Sequence, residues 1–366
     1  MRSLLSSVRL RLLACCLIAA LGPLAAVAYI TASRAGDSAE RTAIASMAAI
    51  AEARGAQLDA YGRERFRSVS SLASAPAFTD AAVALAATYA ADGTRDDAAY
   101  TAALEPHKAH LDGVAKSCEF TSMLLIDASG RVVYTTGESP LLHHALREAP
   151  LAGLGVSRAV ERVRSDRATQ LSPPSFATEG APASLEVVGP LLKGDELVGF
   201  VAVTLDRAEL AAIVSDYTGL GRTGDIVGVC RIGAEMAITT PTRADRDAAY
   251  TQRIKLGASE GRRLQELVYG SPFRGRGTDL AGNEVVGAWV RVPSLRWGLG
   301  VTQQVDEALA LTRSQEEVVK TVAMASIPPV IVLALATAWS IRRRPTMSTP
   351  QVSQSQQRTA DPTSVA

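Results

Sequence analysis

The sequence predicts an α+β protein in which a long N-terminal helix precedes two tandem antiparallel-sheet modules, with a transmembrane helix on either side. Apolar segments occupy residues 12–30 and 321–341, and each has about the 20 residues that a helix needs to cross a bilayer. Between them, a helical spacing of apolar residues persists over 34–75. From residue 119 onwards, short runs rich in β-branched residues alternate with turns that contain glycine and aspartate.

Basic residues outside the two apolar segments predict the orientation of the chain. Arg2, Arg9 and Arg11 precede the first segment, and residues 342–344 are arginines that follow the second. Because positive residues stay on the cytoplasmic side, both termini are predicted to be cytoplasmic and the region between the segments extracytoplasmic, at the inner (plasma) membrane. Cleavage by signal peptidase near residues 26–28 is an open alternative that would leave one transmembrane helix.

The cytoplasmic segments are short. Residues 1–11 form the N-terminal one, and the tail 342–366, rich in serine, threonine and glutamine, is predicted to be disordered. The tail has no motif typical of a catalytic or coiled-coil output domain. We therefore expect a signal to pass to a separate cytoplasmic partner, or the chain to be a truncated part of a longer receptor.

Composition and motifs argue against several functional classes. A net charge of +1 gives no general attraction for nucleic acid. No serine or cysteine nucleophile motif occurs, so no enzyme activity, catalytic residue or cofactor is predicted. His107 and His110 lack the further ligands that a zinc site needs, so no metal site is predicted. The adjacent His143 and His144 are expected on a loop surface.

Two further patterns carry little functional weight. Gly219, Gly221 and Gly224 match the spacing of a dinucleotide-binding fingerprint, but a helix precedes them and a strand follows, which reverses the required context. They predict a turn between the two modules. Cys118 and Cys230 could form a disulfide in an oxidising compartment.

The region 34–118 is predicted to be helical. The first helix, 34–75, is expected to end before Pro76, because proline disfavours a helical conformation in the preceding residue. Two shorter helices follow, at about 79–92 and 97–116.

The first sheet module, 119–214, is built of hairpins. Asp127 and Gly130 lie in the turn of the first hairpin, and a capping box of Asp206 and Glu209 begins the closing helix. A helical, loop-rich stretch is expected at 140–166. The predicted strands are 120–126, 131–134, an edge strand within 170–176, 185–192 and 197–205.

The second module, 215–312, repeats this plan. An irregular stretch runs to about residue 265, and Asp306 begins the helix that leads into the second apolar segment. The two modules share a Val-Gly pair, at 198–199 and 286–287, and a Val-Thr strand end, at 203–204 and 301–302. The predicted strands are 225–232, 236–239, 284–292 and 297–304.

In this order, the motifs resemble those of the double Cache sensor family, in which two PAS-like modules stack outside the membrane. The resemblance covers about residues 34–312. The matching segments are LLIDASGRVVY at 124–134, GPLL at 189–192, GLGRTGD at 219–225 and GAWVRVPSLRWGL at 287–299.

The resemblance implies a small-molecule pocket in the module that lies farther from the membrane, 119–214. An amino-acid ligand is disfavoured for two reasons. Thr204 stands where we would align the aspartate of the amino-acid-binding subgroup, and this module has no tryptophan. The candidate ligand-binding residues lie on or beside the strands that line a PAS-like cavity: Tyr134, Arg167, Ser172, Phe176 and Thr204.

The leading hypothesis is a membrane-anchored extracytoplasmic sensor that relays the binding of a small molecule to a separate cytoplasmic partner. A homodimer through the long helix is an open option. The alternatives are a protein-interaction or scaffold module with a vestigial pocket, or the truncated sensory part of a histidine kinase or chemoreceptor.

Overall fold

The computed structural model describes residues 2–175, 183–259 and 261–310, together with residues 321, 328, 331 and 332. Contacts divide the chain into two compact units, residues 36–311 and residues 1–35 with 312–366. All β-strands described below lie in the first of these, which we call the sheet unit.

The secondary structure is α+β, with a long N-terminal helix and two antiparallel sheets, as predicted. The helices are α1 Arg2–Ser74, α2 Pro76–Ala86, α3 Asp97–Ser117, α4 Gly155–Asp166, α5 Arg207–Val214, α6 Arg262–Val268 and α7 Val305–Ala308, with a 3₁₀ turn at Leu151–Gly153. The first-sheet strands are β1 Ser122–Asp127, β2 Val132–Thr135, β3 Gln170–Leu171, β4 Glu186–Lys193 and β5 Glu196–Thr204. Those of the second sheet are β6 Asp225–Ile232, β7 Glu235–Ile238, β8 Arg253–Lys255, β9 Phe273–Thr278, β10 Glu284–Val292 and β11 Trp297–Gln304.

The two predicted transmembrane segments differ in how far they are described. Residues 12–30 lie within α1, whereas 321–341 fall outside the described residues except for four single positions. Within the described part of the chain, no single helix meets the length and hydropathy criteria for a membrane span. The pair Gly36–Ser74 and Pro76–Ala86, bent by 65°, meets them jointly.

The helical region follows the prediction except for its second helix. Ala75 is extended (φ −82°, ψ 124°) and Pro76 begins α2, so the proline separates α1 from α2 as expected. The predicted second helix at 79–92 is wrong at both ends, because Pro76 suits the first turn of a helix and α2 stops at Ala86. Beyond α2, a bridge between Tyr89 and Arg95 turns the chain back, and Gly93 supplies the left-handed residue of that turn.

The two sheets have the same strand order. The first is β2-β1-β5-β4-β3 and the second is β8-β7-β6-β11-β10-β9, so both read 2-1-5-4-3 within their module, with β8 added at one edge. The Val-Thr strand ends are equivalent, since Thr204 pairs with the first residue of β1 and Thr302 with the first residue of β6. The Val-Gly equivalence is wrong, because Gly199 lies on the fifth strand of its sheet and Gly287 on the fourth.

The predicted irregular stretch up to residue 265 is also more ordered than expected. It contributes β8, which pairs with β7, and most of α6. Leu264 and Leu267 of α6 are buried in the apolar cluster of the second sheet, together with Trp289. Burial of these leucines stabilises the segment, although its polar composition predicts an irregular structure.

The first sheet is covered on both faces. One face contributes Val187 and Val201 to the core shared with the helical region, and Val69 of α1 lies against Gly189 of β4. The other face carries Val188 and Phe200, which pack against the apolar side of α4. Because both faces are buried, the strands read as nearly continuous apolar runs.

Helix α1 also contacts the second sheet and α5. The Asp59 carboxylate accepts a hydrogen bond from the backbone N–H of Ser294 at 2.8 Å. The predicted capping box is half formed: the Asp206 carboxylate caps α5, but the Glu209 carboxylate pairs with Arg65 of α1 at 3.2 Å. The backbone N–H of Asp206 donates instead to the Tyr61 hydroxyl at 2.9 Å.

Candidate functional site

A cavity of about 410 Å³ lies at one end of the first sheet, on the face that α4 covers. We call it the first-sheet pocket. The sheet, the loop after β2, the start of α4 and the start of α5 all contribute to its wall. Its lining residues are Thr121, Ser122, Leu124, Glu138, Ser139, Pro140, Leu141, Leu154, Val156, Ala183, Ser184, Glu186, Thr204, Leu205, Asp206 and Arg207.

A row of polar side chains crosses the sheet at the base of this pocket. Thr204 of β5 is paired with Ser122 of β1 on one side and with Glu186 of β4 on the other. Antiparallel partners point to the same face, so all three side chains belong to one wall. Two residues further along the strands, the same face is apolar and packs against α4. The pocket therefore joins a polar row to an apolar floor.

Glu186 is the most unusual member of the row, because it is a carboxylate that is only 3% exposed. Ser172 is equally enclosed, and its hydroxyl donates to Glu186 Oε2 at 2.8 Å while accepting from the Glu186 backbone N–H at 2.8 Å. Burial raises the pKa of the Glu186 carboxyl, and hydrogen bonds from Ser184 and Ser172 oppose that rise. Among the described residues, Glu186 forms no ion pair. A buried acid without a cation is costly unless a ligand supplies a partner.

A cation also lines the pocket. Arg207 lines the pocket at the start of α5, is exposed, and lies with its guanidinium carbon 5.5 Å from the ring centroid of Tyr250. The residue before it, Asp206, also lines the pocket. The wall thus presents one buried carboxyl group and one accessible guanidinium group.

Of the five residues predicted to bind a ligand, Thr204 is the one that lines the first-sheet pocket as described. Ser172 does not line it but is hydrogen-bonded to Glu186, which does. Tyr134 faces the helical region, where its hydroxyl donates to the carboxylate of Asp112. Arg167 is exposed and ends α4 in a left-handed conformation with φ 54°. Phe176 lies outside the described residues.

Sequence reasoning missed Glu186, Ser122 and Arg207. One signal was available for the first of these: Glu186 is the only charged residue in the run 185–192, which otherwise predicts a buried strand. An ionisable residue at a buried strand position needs a partner or a function. Ser122 and Arg207 give no such signal, because serine and arginine are ordinary residues at strand and helix starts.

His143 is also placed differently from the prediction of a loop surface. Its Nδ1 is 2.7 Å from the Tyr89 hydroxyl, its ring is edge-on to Tyr100 at 5.1 Å, and Arg95 contacts its Nε2. Burial and the neighbouring Arg95 lower the pKa of His143. This half-buried cluster fastens the turn after α2 to the loop after β2.

The remaining sequence patterns have simple structural outcomes. Residues 218–223 form turns between α5 and β6, as predicted. Gly219 and Gly221 have positive φ in these turns. Cys118 and Cys230 are not bonded to each other; both are free thiols. Within the described residues, no group of three or more His, Cys, Asp or Glu side chains could hold a metal ion.

Comparisons with known proteins identify the fold. No family model and no curated protein matches the sequence. Among solved structures, the extracellular domain of the putative histidine kinase mmHK1S-Z3 is similar over 75% of this chain and 98% of its own, with 14% identity and a TM-score of 0.50. The ligand-binding domain of the Pseudomonas aeruginosa amino acid chemoreceptor PctB, in complex with L-Gln, matches over 72% and 91%, with 17% identity and a TM-score of 0.45.

A third match is an extracellular ligand-binding receptor from Desulfohalobium retbaense, with 16% identity and a TM-score of 0.43. It matches over 69% of this chain, which spans 39% of the length of that receptor. The match to the histidine kinase domain, at a TM-score of 0.50, shows that the sheet unit has the fold of a double Cache extracellular sensory domain.

Proposed function

We propose that the protein is a membrane-anchored sensor that binds a small molecule in the first-sheet pocket and relays binding to a separate cytoplasmic partner. The observation that carries the proposal is Glu186, a buried carboxyl group on a cavity wall, supported by two serines and without an ion pair among the described residues. Buried, perturbed ionisable groups in a concave site are typical of binding sites.

The wall chemistry selects a class of ligand. Glu186 can accept from an ammonium or amine group, and Arg207 can donate to an anionic group at the rim. The apolar floor at Leu124 and Val156 can hold a short carbon chain. A small zwitterion fits this pattern.

This ligand class corrects the sequence-based argument against amino acids. That argument rested on the missing carboxylate at Thr204, but Glu186 places one on the adjacent strand, directly opposite Thr204. Several of the structurally similar receptor domains are also described as complexes with amino acids, among them PctB with L-Gln. An amino acid is therefore restored as a candidate ligand.

A direct route leads from the pocket to α1. Asp206 lines the pocket, and its backbone N–H donates to Tyr61 of α1. One turn further along both helices, Glu209 of α5 pairs with Arg65. A ligand that binds Arg207 therefore contacts the first turn of α5, which is already bonded to α1. Such a ligand shifts the equilibrium between two positions of α5 only if it prefers one of them.

The proposed membrane topology retains two spans, residues 12–30 and 321–341, with both termini cytoplasmic. The support is the placement of the arginines outside both apolar segments. In this arrangement the sheet unit lies on the extracytoplasmic side and α7 leads towards the second span. A homodimer through α1 stays a prediction.

A binding screen tests the proposal. The full chain in detergent micelles is melted in the presence of α-amino acids, alkyl amines, carboxylic acids and neutral polyols. We expect members of the zwitterionic class to raise the melting temperature, since a ligand at 100 times its Kd adds about 2.7 kcal/mol to stability. A natively folded chain that responds to none of these classes would favour the interaction-module alternative.

The link between α7 and the inter-module turn gives a further prediction. The Glu307 carboxylate accepts from the backbone N–H groups of Arg222 and Thr223 at 2.8 and 2.7 Å and from the Thr223 hydroxyl at 2.5 Å. These hydrogen bonds lower the pKa of Glu307 to about 2. Because the folded-state pKa lies below the ordinary value of about 4.5, the stabilisation is present above pH 4.5 and is lost as the pH falls towards 2.

We therefore expect Glu307→Gln to reduce the free energy of unfolding by about 1 kcal/mol at pH 7 and to have no such deficit near pH 2. Urea unfolding at several pH values measures the difference. The exposed Glu105 of α3 provides the matched control, since Glu105→Gln should change stability little at any pH. Equal pH profiles for the wild type and Glu307→Gln would contradict the prediction.

A further inference from the structure

The second sheet has its own cavity, of about 340 Å³, at the end of the sheet where β6 begins and β11 ends. We call it the second-sheet cavity. Its wall includes Asp225, Val227, Asp279, Trp289 and Thr302. It belongs to a different module from the first-sheet pocket, and the two share no lining residue.

The two cavities occupy the same place in the internal repeat. Thr302 pairs with Asp225 of β6, just as Thr204 pairs with Ser122 of β1. On its other side, Thr302 pairs with Gly287, which stands where Glu186 stands in the first sheet. Each threonine thus has one carboxylic acid as a strand partner. In the first sheet it is Glu186, on the fourth strand, and in the second sheet it is Asp225, on the first strand.

Asp225 keeps free acceptor capacity in this cavity. Its carboxylate accepts from the backbone N–H groups of Ile226 at 2.8 Å and Arg243 at 3.0 Å, but the described residues offer it no side-chain cation within ion-pair distance. The Arg243 guanidinium is committed elsewhere: it donates to the carbonyl oxygens of Gly221 and Arg222 and stands 4.5 Å from the Tyr217 ring centroid.

A second carboxylate reaches the cavity from the turn between β9 and β10. Asp279 accepts from the backbone N–H groups of Ala281 and Asn283, and it too has no ion pair within the described part of the chain. Burial raises the pKa of Asp225 and the field of Asp279 adds to that rise, whereas the backbone N–H groups of Arg243 and Ile226 and the charge of Arg243 oppose it. The apolar part of the wall includes Leu264 of α6 and the indole ring of Trp289, which lies on the same face of the sheet as Asp225.

We infer that the second-sheet cavity is a second binding site, specific for a small organic cation with an ammonium group next to a short apolar chain. Asp225 and Asp279 neutralise the ammonium group, and Trp289 with Leu264 contacts the chain. A metal ion fits less well, because the described residues contain no cluster of three ionisable ligands.

This site adjoins the exit helix. The Thr223 hydroxyl, on the cavity wall, donates to Glu307 of α7 at 2.5 Å and accepts from the backbone N–H of Gln304 at 3.2 Å. An occupant in contact with Thr223 therefore acts on α7 without passing through the first module. The second-sheet cavity shares no lining residue with the first-sheet pocket, so either binding site can be disproved without the other.

The test uses the full ¹⁵N-labelled chain in detergent micelles, with butylammonium as the probe and butyrate and butanol as charge-reversed and neutral matches. The chain has three tryptophans, so the indole N–H resonance of Trp289 can be assigned by Trp289→Phe. We expect butylammonium to shift this resonance saturably and the two matched compounds to leave it in place.

Two variants complete the test, and Glu186→Gln serves as the control for the other pocket. Asp225→Asn is expected to raise the Kd of butylammonium at least tenfold. Ala244→Lys, on an exposed part of the cavity wall, brings a cation near Asp225 without touching the core and is expected to weaken binding similarly. Glu186→Gln should leave the Trp289 response unchanged. The inference is overturned if butylammonium gives no saturable shift, if butanol gives the same shift, or if folded Ala244→Lys binds like the wild type.

Discussion

Glu186→Gln is expected to lower the affinity for a zwitterionic or amine ligand by about 10- to 100-fold. A hydrogen bond to a charged group contributes about 1.5–3 kcal/mol, and about 1.4 kcal/mol corresponds to a factor of ten in Kd. Glutamine preserves the size of the side chain and can still accept from Ser172, so the variant removes the negative charge and little else. Isothermal titration calorimetry with the best ligand of the screen measures the loss.

Glu138→Gln is the matched control, because Glu138 lines the same pocket but is exposed to solvent. Water screens its charge, so we expect an affinity change below about threefold. Equal losses for Glu138→Gln and Glu186→Gln would show that the overall charge of the rim, and not the buried carboxyl group, attracts the ligand.

The same residue predicts how pH acts on stability and binding. The folded-state pKa of Glu186 is raised by burial, so the folded protein holds a proton that the unfolded chain releases near pH 4.5. The contribution of Glu186 to stability is present below pH 4.5 and is lost as the pH rises through the folded-state pKa. Glu186→Gln should lack this decline. A cationic ligand favours the ionised carboxylate, so its binding should release protons, which appear as a dependence of the binding enthalpy on the buffer.

The hairpins could be predicted from the sequence because their information is local. Asp127 and Gly130 make the first turn, and Gly194 lies between β4 and β5 at φ 63°. The row of Ser122, Thr204 and Glu186 could not be predicted in this way. Its members lie on three strands, at positions 122, 186 and 204, and only the register of the sheet aligns them.

Tyr134 shows the second limit of the sequence. All four residues of β2 are buried, so the strand has no alternation of polar and apolar residues that would reveal its faces. The sequence therefore predicts Tyr134 as a lining residue of the pocket, whereas its hydroxyl donates to Asp112 of α3. Arg167 is exposed, ends α4 in a left-handed conformation and is not among the residues that line the pocket. The position of a residue on a strand predicts the module to which it belongs, but not the face of the sheet on which its side chain lies.

Gly155→Ala is expected to have the largest structural effect on the pocket. A Cβ atom at this position would lie 1.8 Å from the Pro173 carbonyl oxygen, a backbone atom that cannot rotate away. The backbone N–H of Gly155 also donates to the Ser175 hydroxyl at 2.7 Å, so α4 and the 173–175 segment are fastened at this point. Relief of the clash requires α4 to move, at a cost of about 3 kcal/mol.

That movement also reaches the ligand, because the neighbours of Gly155 in sequence, Leu154 and Val156, both line the first-sheet pocket. We expect Gly155→Ala to lower both the free energy of unfolding and the ligand affinity. Gly153→Ala is the matched control: its Cβ would meet no atom within 4 Å, so its stability should stay within about 0.5 kcal/mol of the wild type. Urea unfolding measures the change in stability of both variants, and calorimetry measures the change in their ligand affinity. If the two alanine variants behave alike, α4 is not held against the pocket through Gly155, and the wall formed by Leu154 and Val156 must depend on other contacts.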